Sequence, residues 1–336
     1  MPDGAANRSP LASPLASPLA SPFNLDDDAA YRAWREWKLA HRARSAADLV
    51  VDIADPSRLS TAERRLLLQG IDRHGVAVYR TPAGGGGAAD ETALPSAVSA
   101  LGAQLGLHRL DANWLADEDG LSRITVAEAR DEGAPGEAAA RGEFIPYTDR
   151  AIGWHTDGYY HPQQRRILGM ILHCVRAARA GGETALVDHA LAYIALRDRS
   201  PDLVRALAHP EAMTIPQRTD DNGVARAAQA GPVFSVVAGG GSSHLHMRYT
   251  ARTRSIAWRD DAATRAAAAL LTRLLEGELE GIARLTLAPG MGLVGHNVLH
   301  ARSAFADDPA APRLLLRARY LDCVDNPAAE AQWPTG

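Results

Sequence analysis

Hydrophobic positions along the chain change their period, and the changes predict its elements. At the start, Ser-Pro-Leu-Ala recurs from Ser9, Ser13 and Ser17. A proline every four residues blocks both helix and sheet ladders, so residues 1–25 are expected to be a disordered or polyproline-like tail outside the fold. Helical spacing then takes over. Asp26-Asp27-Asp28 precedes Tyr31, Trp34, Trp37 and Leu39, an acidic start to an aromatic stripe read as core packing. Ser60-Thr61-Ala62-Glu63 is a capping box opening a helix to Arg73, with Leu66, Leu67 and Ile71 as its apolar face. His74-Gly75 turns into a short strand at Val76–Tyr79, and a third helix is predicted over Leu94–Leu107.

Further along, short apolar and alternating runs dominate. The run from Ile167 to Val175 reads as a strand buried on both faces, with His173 as a core histidine. Strands are also predicted at Ala185–Val187, Met213–Pro216, Val233–Val237, His244–Tyr249, Leu285–Leu287, Met291–His300 and Arg313–Leu321. Helices interrupt them at His189–Leu196, Pro201–Ala208 and Asp260–Glu276. Helices first and many short strands afterwards predict an α+β class with a sheet sandwich or barrel core, one domain over residues 26–330.

Composition narrows the function classes. The 336 residues are 46% hydrophobic and 23% charged, ordinary for a globular protein. A net charge of −4 gives no electrostatic case for nucleic acid. No apolar run reaches bilayer length, and the N-terminus lacks a basic region followed by an apolar core. The expectation is a cytoplasmic enzyme acting on a small molecule, with no membrane partner. Cys174 and Cys323 sit in apolar surroundings and read as buried thiols. The glycines at 84–87 read as a surface loop, since no Gly-Lys-Ser/Thr follows. Residues 130–143 read as an exposed loop, either a lid or a plain excursion.

The candidate chemistry lies in Trp154-His155-Thr156-Asp157-Gly158. On an extended segment, His155 and Asp157 project to one side, roughly 7 Å apart at the backbone. With a third ligand they would make the two-histidine, one-carboxylate face suited to non-haem Fe(II). His300, at the end of a strand, is the first choice for that ligand, with His296 and His246 as rivals. On the last strand, alternation puts Arg313, Leu315, Arg317 and Arg319 on one face. Arg313 and Arg317 stand about 13 Å apart, where one guanidinium could hold a cosubstrate carboxylate and the other a substrate anion or an internal carboxylate.

W-H-T-D-G-Y-Y, then G-G-E-T, then V-L-H-A-R-S-A-F and R-L-L-L-R occur in order between Tyr147 and Asp322. This series resembles the taurine dioxygenase (TauD/TfdA-like) family of Fe(II)/2-oxoglutarate-dependent oxygenases. The resemblance implies a clavaminate-synthase-like, jelly-roll double-stranded β-helix core flanked by helices. It implies His155, Asp157 and His300 as catalytic iron ligands, and Thr184 and Arg313 as contacts to 2-oxoglutarate. It implies hydroxylation of a small substrate by O2 with release of succinate and CO2. Arg317, Arg248, Tyr159, Tyr249 and Trp154 become candidate substrate contacts, which favour an anionic substrate. Family members are often dimers or tetramers, so a homo-oligomer is an open expectation. The carboxylate of Asp157 argues for hydroxylation, or hydroxylation-triggered cleavage or desaturation, over halogenation, since related halogenases commonly carry a small residue there.

Two other classes compete. A zinc hydrolase could use the same three ligands, although no H-E-x-x-H helix accompanies them. A barrel that binds without turnover would have no need of an intact ligand set.

Overall fold

The computed structural model describes residues 21–82, 91–111, 119–126, 144–220, 223–239, 242–252 and 256–326. The predicted tail as far as residue 20 and the predicted loops at 84–87 and 130–143 lie outside the described residues. Residues 21–25 do not belong with the tail. Phe23 packs edge-on against Trp34 and Tyr193, and Arg197 donates to the carbonyls of Pro22 and Asn24.

Two facing sheets are built from β1 (Val50–Asp52), β2 (Val76–Arg80), β3 (Ser122–Ile124), β4 (Ile152–His155), β5 (Gly169–Arg176), β6 (Thr184–Val187), β7 (Ala283–Leu285), β8 (Met291–His296), β9 (Leu299–Arg302) and β10 (Leu314–Tyr320). The larger runs β1-β2-β8-β5-β10-β3 and the smaller β7-β6-β9-β4, antiparallel throughout except β1 with β2. Alternation divides their side chains as a period of two requires. Val76, Val78, Met170, Leu186, Leu293 and Leu315 fill the space between the sheets. Ala77, Tyr79, Ile171, Val294, Leu316 and Tyr320 face the other way, onto two helices. This is the jelly-roll core of a double-stranded β-helix, with α+β content.

Those covering helices are α2 (Thr61–His74) and α3 (Leu94–Gln104), preceded by α1 (Asp28–Ala40). Ser60 and Glu63 form the capping box, and Gly75 closes α2 in the left-handed region at φ 75°. The apolar face of α2 is Leu67, Leu68 and Ile71; Leu66 is 46% exposed, one position off the buried stripe. On the far side, α4 (His189–Arg199), α5 (Pro201–Leu207) and α6 (Ala262–Arg273) pack with α1 and the strands Phe234–Gly239 and Ser242–Met247. Among the described residues no helix is long and apolar enough to cross a membrane.

His173 is buried and bonded through Nδ1 to the Tyr79 hydroxyl at 2.9 Å, a satisfied core histidine. Burial lowers its pKa to about 4, which keeps the ring neutral. Both cysteines are free and buried.

One predicted strand is corrected. Met291–His300 is two strands, β8 in the larger sheet and β9 in the smaller. Asn297 makes the crossing. Its Oδ1 accepts from the Asp157 amide at 2.8 Å, and its Nδ2 donates to the carbonyls of Asp157 and Ile167 at 2.8 and 2.9 Å. The residue is buried, so no water replaces these bonds when the side chain is cut back. Asn297→Ala should therefore destabilise the fold by about 2–4 kcal/mol, read as a lower denaturant midpoint with an unchanged slope. A loss below about 0.5 kcal/mol would show that the crossing holds without the carboxamide.

Candidate metal centre

β4 ends at His155, and β9 lies beside it with His300 directly opposite in register. Cross-strand neighbours have Cβ atoms roughly 5 Å apart, so the rings meet without help from long side chains. Their centroids are 4.1 Å apart. Asp157 follows on the turn clamped by Asn297. One ligand atom from each of His155, Asp157 and His300 lies within 4.8 Å of the others.

The hydrogen bonds around the cluster orient it. His155 Nδ1 lies 2.9 Å from the Gly153 carbonyl, and His300 Nδ1 lies 2.9 Å from the Val298 carbonyl. With Nδ1–H donating to carbonyls, each ring offers its Nε2 lone pair as a ligand. Burial, reinforced by His300, depresses the His155 pKa to about 3, so the ring is neutral. Burial opposes ionisation of Asp157, but Arg317 and the neighbouring histidines outweigh it and hold the carboxyl well below the usual range. Arg317 Nη1 donates to Asp157 Oδ1 at 3.2 Å. Asp157 Oδ2 is buried without a hydrogen-bond partner among the described residues. An orphaned carboxylate oxygen beside two imidazole nitrogens fits a divalent cation, because burying an ionised oxygen unpaired is costly.

The rivals are elsewhere. His246 and His296 line another cavity with His189 and His244, and His246 also borders a cavity beside Asp157 without joining the three-residue cluster.

A cleft of about 490 Å³ opens beside the cluster, lined by His155, His300, Thr184, Arg313 and Arg317 with Leu172 and Leu315. Arg313 is 5% exposed and makes no side-chain hydrogen bond or ion pair with a described residue. Its guanidinium lies 5.0 Å from the centroid of the Phe305 ring. Burial lowers its pKa, outweighing the opposing pull of Cys174 and of Asp307, whose carboxylate takes the Arg313 backbone amide rather than the guanidinium.

The structure parts the remaining candidates. Arg317 belongs to the metal cluster through Asp157. Arg248 spends four of its N–H donors on backbone: its guanidinium donates to the carbonyls of Tyr159, Met213, Gly231 and Gln229. Tyr249 is buried in the helical core with its hydroxyl on Thr272, away from the cleft. Trp154 packs half-buried against the same core. Tyr159 stands edge-on to Tyr160 at 5.3 Å, among arginines 226 and 252. The sequence reading missed Asn297, because one asparagine in a strand-like run carries no signal until the strand is known to break.

Residues 38–319 match the family model described as taurine catabolism dioxygenase TauD, TfdA family. Two curated relatives are uridine-5'-phosphate dioxygenases. One, from Amycolatopsis sp, is 35% identical over 175 residues, 50% of this chain and 60% of the relative. The other, from Streptomyces sp, is 31% identical over 187 residues, 54% of this chain and 66% of the relative. The chain thus matches less than two thirds of the length of either. Among solved structures, an asparagine oxygenase in complex with Fe(II), 2S,3S-3-hydroxyasparagine and succinate superposes with a TM-score of 0.54 at 17% identity, covering 86% of this chain and 92% of that one. The non-heme iron oxygenase OrfP in complex with Fe and alpha-ketoglutaric acid gives 0.54 at 17% identity, covering 88% and 91%. At such identities the two share the fold.

Behind the centre, Asp111 gathers two arginines and a histidine. Its carboxylate takes Arg319 at 2.7 Å, Arg165 at 2.6 Å and His161 at 3.2 Å. Burial alone would raise its pKa, but His161, Arg319 and Arg165 hold it down to about 2. A depressed folded pKa contributes stability above the unfolded value near 4, and that contribution is lost as pH falls towards 2. Asp111→Asn should cost about 3 kcal/mol or more at pH 7, since Arg319 is left buried and unpaired. The gap from the parent chain should narrow by ~2 kcal/mol between pH 4 and pH 2. Denaturant titrations at stepped pH check this, and a gap independent of pH would contradict it.

Proposed function

Because the chain belongs to the taurine catabolism dioxygenase TauD/TfdA family, we propose that it is an Fe(II)/2-oxoglutarate-dependent dioxygenase that oxidises a small anionic substrate. The observation that carries this reading is Arg313, a buried guanidinium that makes no direct ion pair with a described carboxylate and lines the same cleft as His155 and His300. A zinc hydrolase or an inert barrel gives that cation no purpose.

In this reading His155, Asp157 and His300 hold Fe(II). Arg313 receives the distal carboxylate of 2-oxoglutarate, bidentate and charge-assisted, and Thr184 lines the cosubstrate's path. Bound together, iron and 2-oxoglutarate supply the oxidising chemistry with O2, releasing succinate and CO2. The chain's own contribution is placement. Arg317 occupies Asp157 Oδ1 and leaves Oδ2 for the cation. The two Nδ1–carbonyl bonds fix the imidazole planes, and Leu172 and Leu315 line the cleft against water. Asp157 itself supports hydroxylation over halogenation.

The substrate class follows from the relatives named for uridine-5'-phosphate: we place a phosphate monoester of a small molecule first. The protein is read as a cytoplasmic enzyme in which residues 26–330 act as one catalytic unit.

Anaerobic addition of Fe(II) and 2-oxoglutarate should give a weak metal-to-ligand absorption band in the visible region. His155→Ala or Asp157→Ala should abolish it. Arg313→Ala should keep the band but raise the 2-oxoglutarate concentration needed by about ten- to hundredfold, the loss of one charge-assisted contact. A band whose 2-oxoglutarate dependence ignores Arg313→Ala would sink the cosubstrate assignment.

A further inference from the structure

A two-stranded ribbon, Arg218–Asp220 with Gly223–Arg226, carries two arginines in an arrangement the fold does not explain. Arg218 and Arg226 are direct cross-strand partners. Like charges placed opposite each other destabilise a ribbon unless something neutralises them. Neither forms an ion pair with a described carboxylate. Arg226 uses Nη2 on the Pro216 carbonyl at 2.7 Å, but its Nε is buried without a hydrogen-bond partner among the described residues. The charged and titratable groups acting on Arg226 are Tyr159, Arg218 and Tyr160, and it repels Arg248 as well.

Both guanidiniums rest on aromatic rings. Arg226 lies 5.7 Å from the centroid of Tyr160, and Arg218 lies 5.0 Å from that of Phe144. Tyr160 stands three residues after Asp157, and its hydroxyl accepts from Arg319 at 3.0 Å. The ribbon is tied to this turn. Arg248 donates to the Tyr159 carbonyl at 2.7 Å and to the Gln229 carbonyl at 2.7 Å, so one guanidinium pins the strand that follows Arg226 onto the turn that follows Asp157.

We propose that Arg226 and Arg218 form the anchor for a phosphate monoester group of the substrate, with Tyr159 and Tyr160 as the aromatic wall between that anchor and the metal ligands. The function of the anchor in substrate binding rests on the dioxygenase reading above; the anion site itself does not. A phosphate monoester suits the pair better than a single carboxylate. It carries close to two negative charges at neutral pH and three acceptor oxygens, enough for two guanidinium forks at once. Arg248 then serves as a positioning residue, which accounts for an arginine engaged by carbonyls.

Calorimetric titration of the metal-free full chain with uridine 5'-phosphate and with uridine tests the anchor without turnover. The phosphate should bind at least about tenfold more tightly than the nucleoside. Arg226→Gln should reduce affinity for the phosphate about tenfold and leave that for uridine unchanged. Arg218→Gln, at an exposed position that does not challenge folding, should shift it in the same direction. Uridine binding as well as its phosphate, no binding of the phosphate, or both variants binding it like the parent chain would overturn the proposal. The Fe(II)–2-oxoglutarate band depends on other residues and reports separately. Loss of that band with the phosphate preference intact retires the dioxygenase reading and keeps the anion site; the opposite pattern retires the anchor alone.

Discussion

The metal centre depends on one buried carboxamide. His155 and Asp157 sit on one segment and His300 on another, and the two are brought to register where the chain leaves the larger sheet for the smaller. Asn297 occupies that crossing and satisfies both the amide and the carbonyl of Asp157 while holding Ile167. All three of its donor and acceptor roles are used by backbone groups that burial would otherwise leave unpaired. Three residues later His300 falls opposite His155. The ligands are therefore positioned by backbone geometry, and the side-chain carbonyl contacts only set the ring planes.

Buried arginines show how the same charge serves different ends. Arg302 and Arg248 are neutralised by carbonyl dipoles, which locks the segments around Pro146–Arg150 and Gln229–Gly231 in place. Burial pushes the pKa of each down to about 10, still far above neutrality. Arg319 and Arg317 face carboxylates, Asp111 and Asp157 respectively. Arg313 has neither kind of partner among the described residues. A net of several kcal/mol separates a paired buried charge from an unpaired one, and this difference is what makes Arg313 the candidate for an anionic ligand.

Much of this was legible before any coordinates. The capping box at Ser60, the strand at Val76 and the inward row on the last strand follow from local rules, and the structure has all three. The three ligand side chains named from the sequence come together. What was illegible depends on tertiary partners. Leu66 and Leu68 are equally apolar, and only the angle at which α2 meets the sheet decides that Leu66 is exposed. Arg248 looked like an anion contact because its carbonyl partners come from segments far apart in sequence. The break at Asn297 was hidden for the same reason, since Met291–His300 is apolar enough to read as one strand.

The last strand acts as a ruler for the cleft. Residues on one face advance about 6.6 Å per pair, so Arg313 and Arg317 are separated by about 13 Å of extended strand, less what the irregularity between Leu314 and Leu315 removes. Arg317 is fixed at one end by Asp157, and Arg319 continues beyond it to Asp111. A molecule bound between the metal ligands and Arg313 must therefore be short, anionic at its far end and able to donate oxygens at its near end. A five-carbon oxodiacid meets all three demands, whereas a peptide or an oligonucleotide fails the first of them. Strand alternation, a property of backbone pleating, thus places Arg313, Leu315 and Arg317 along the same cleft.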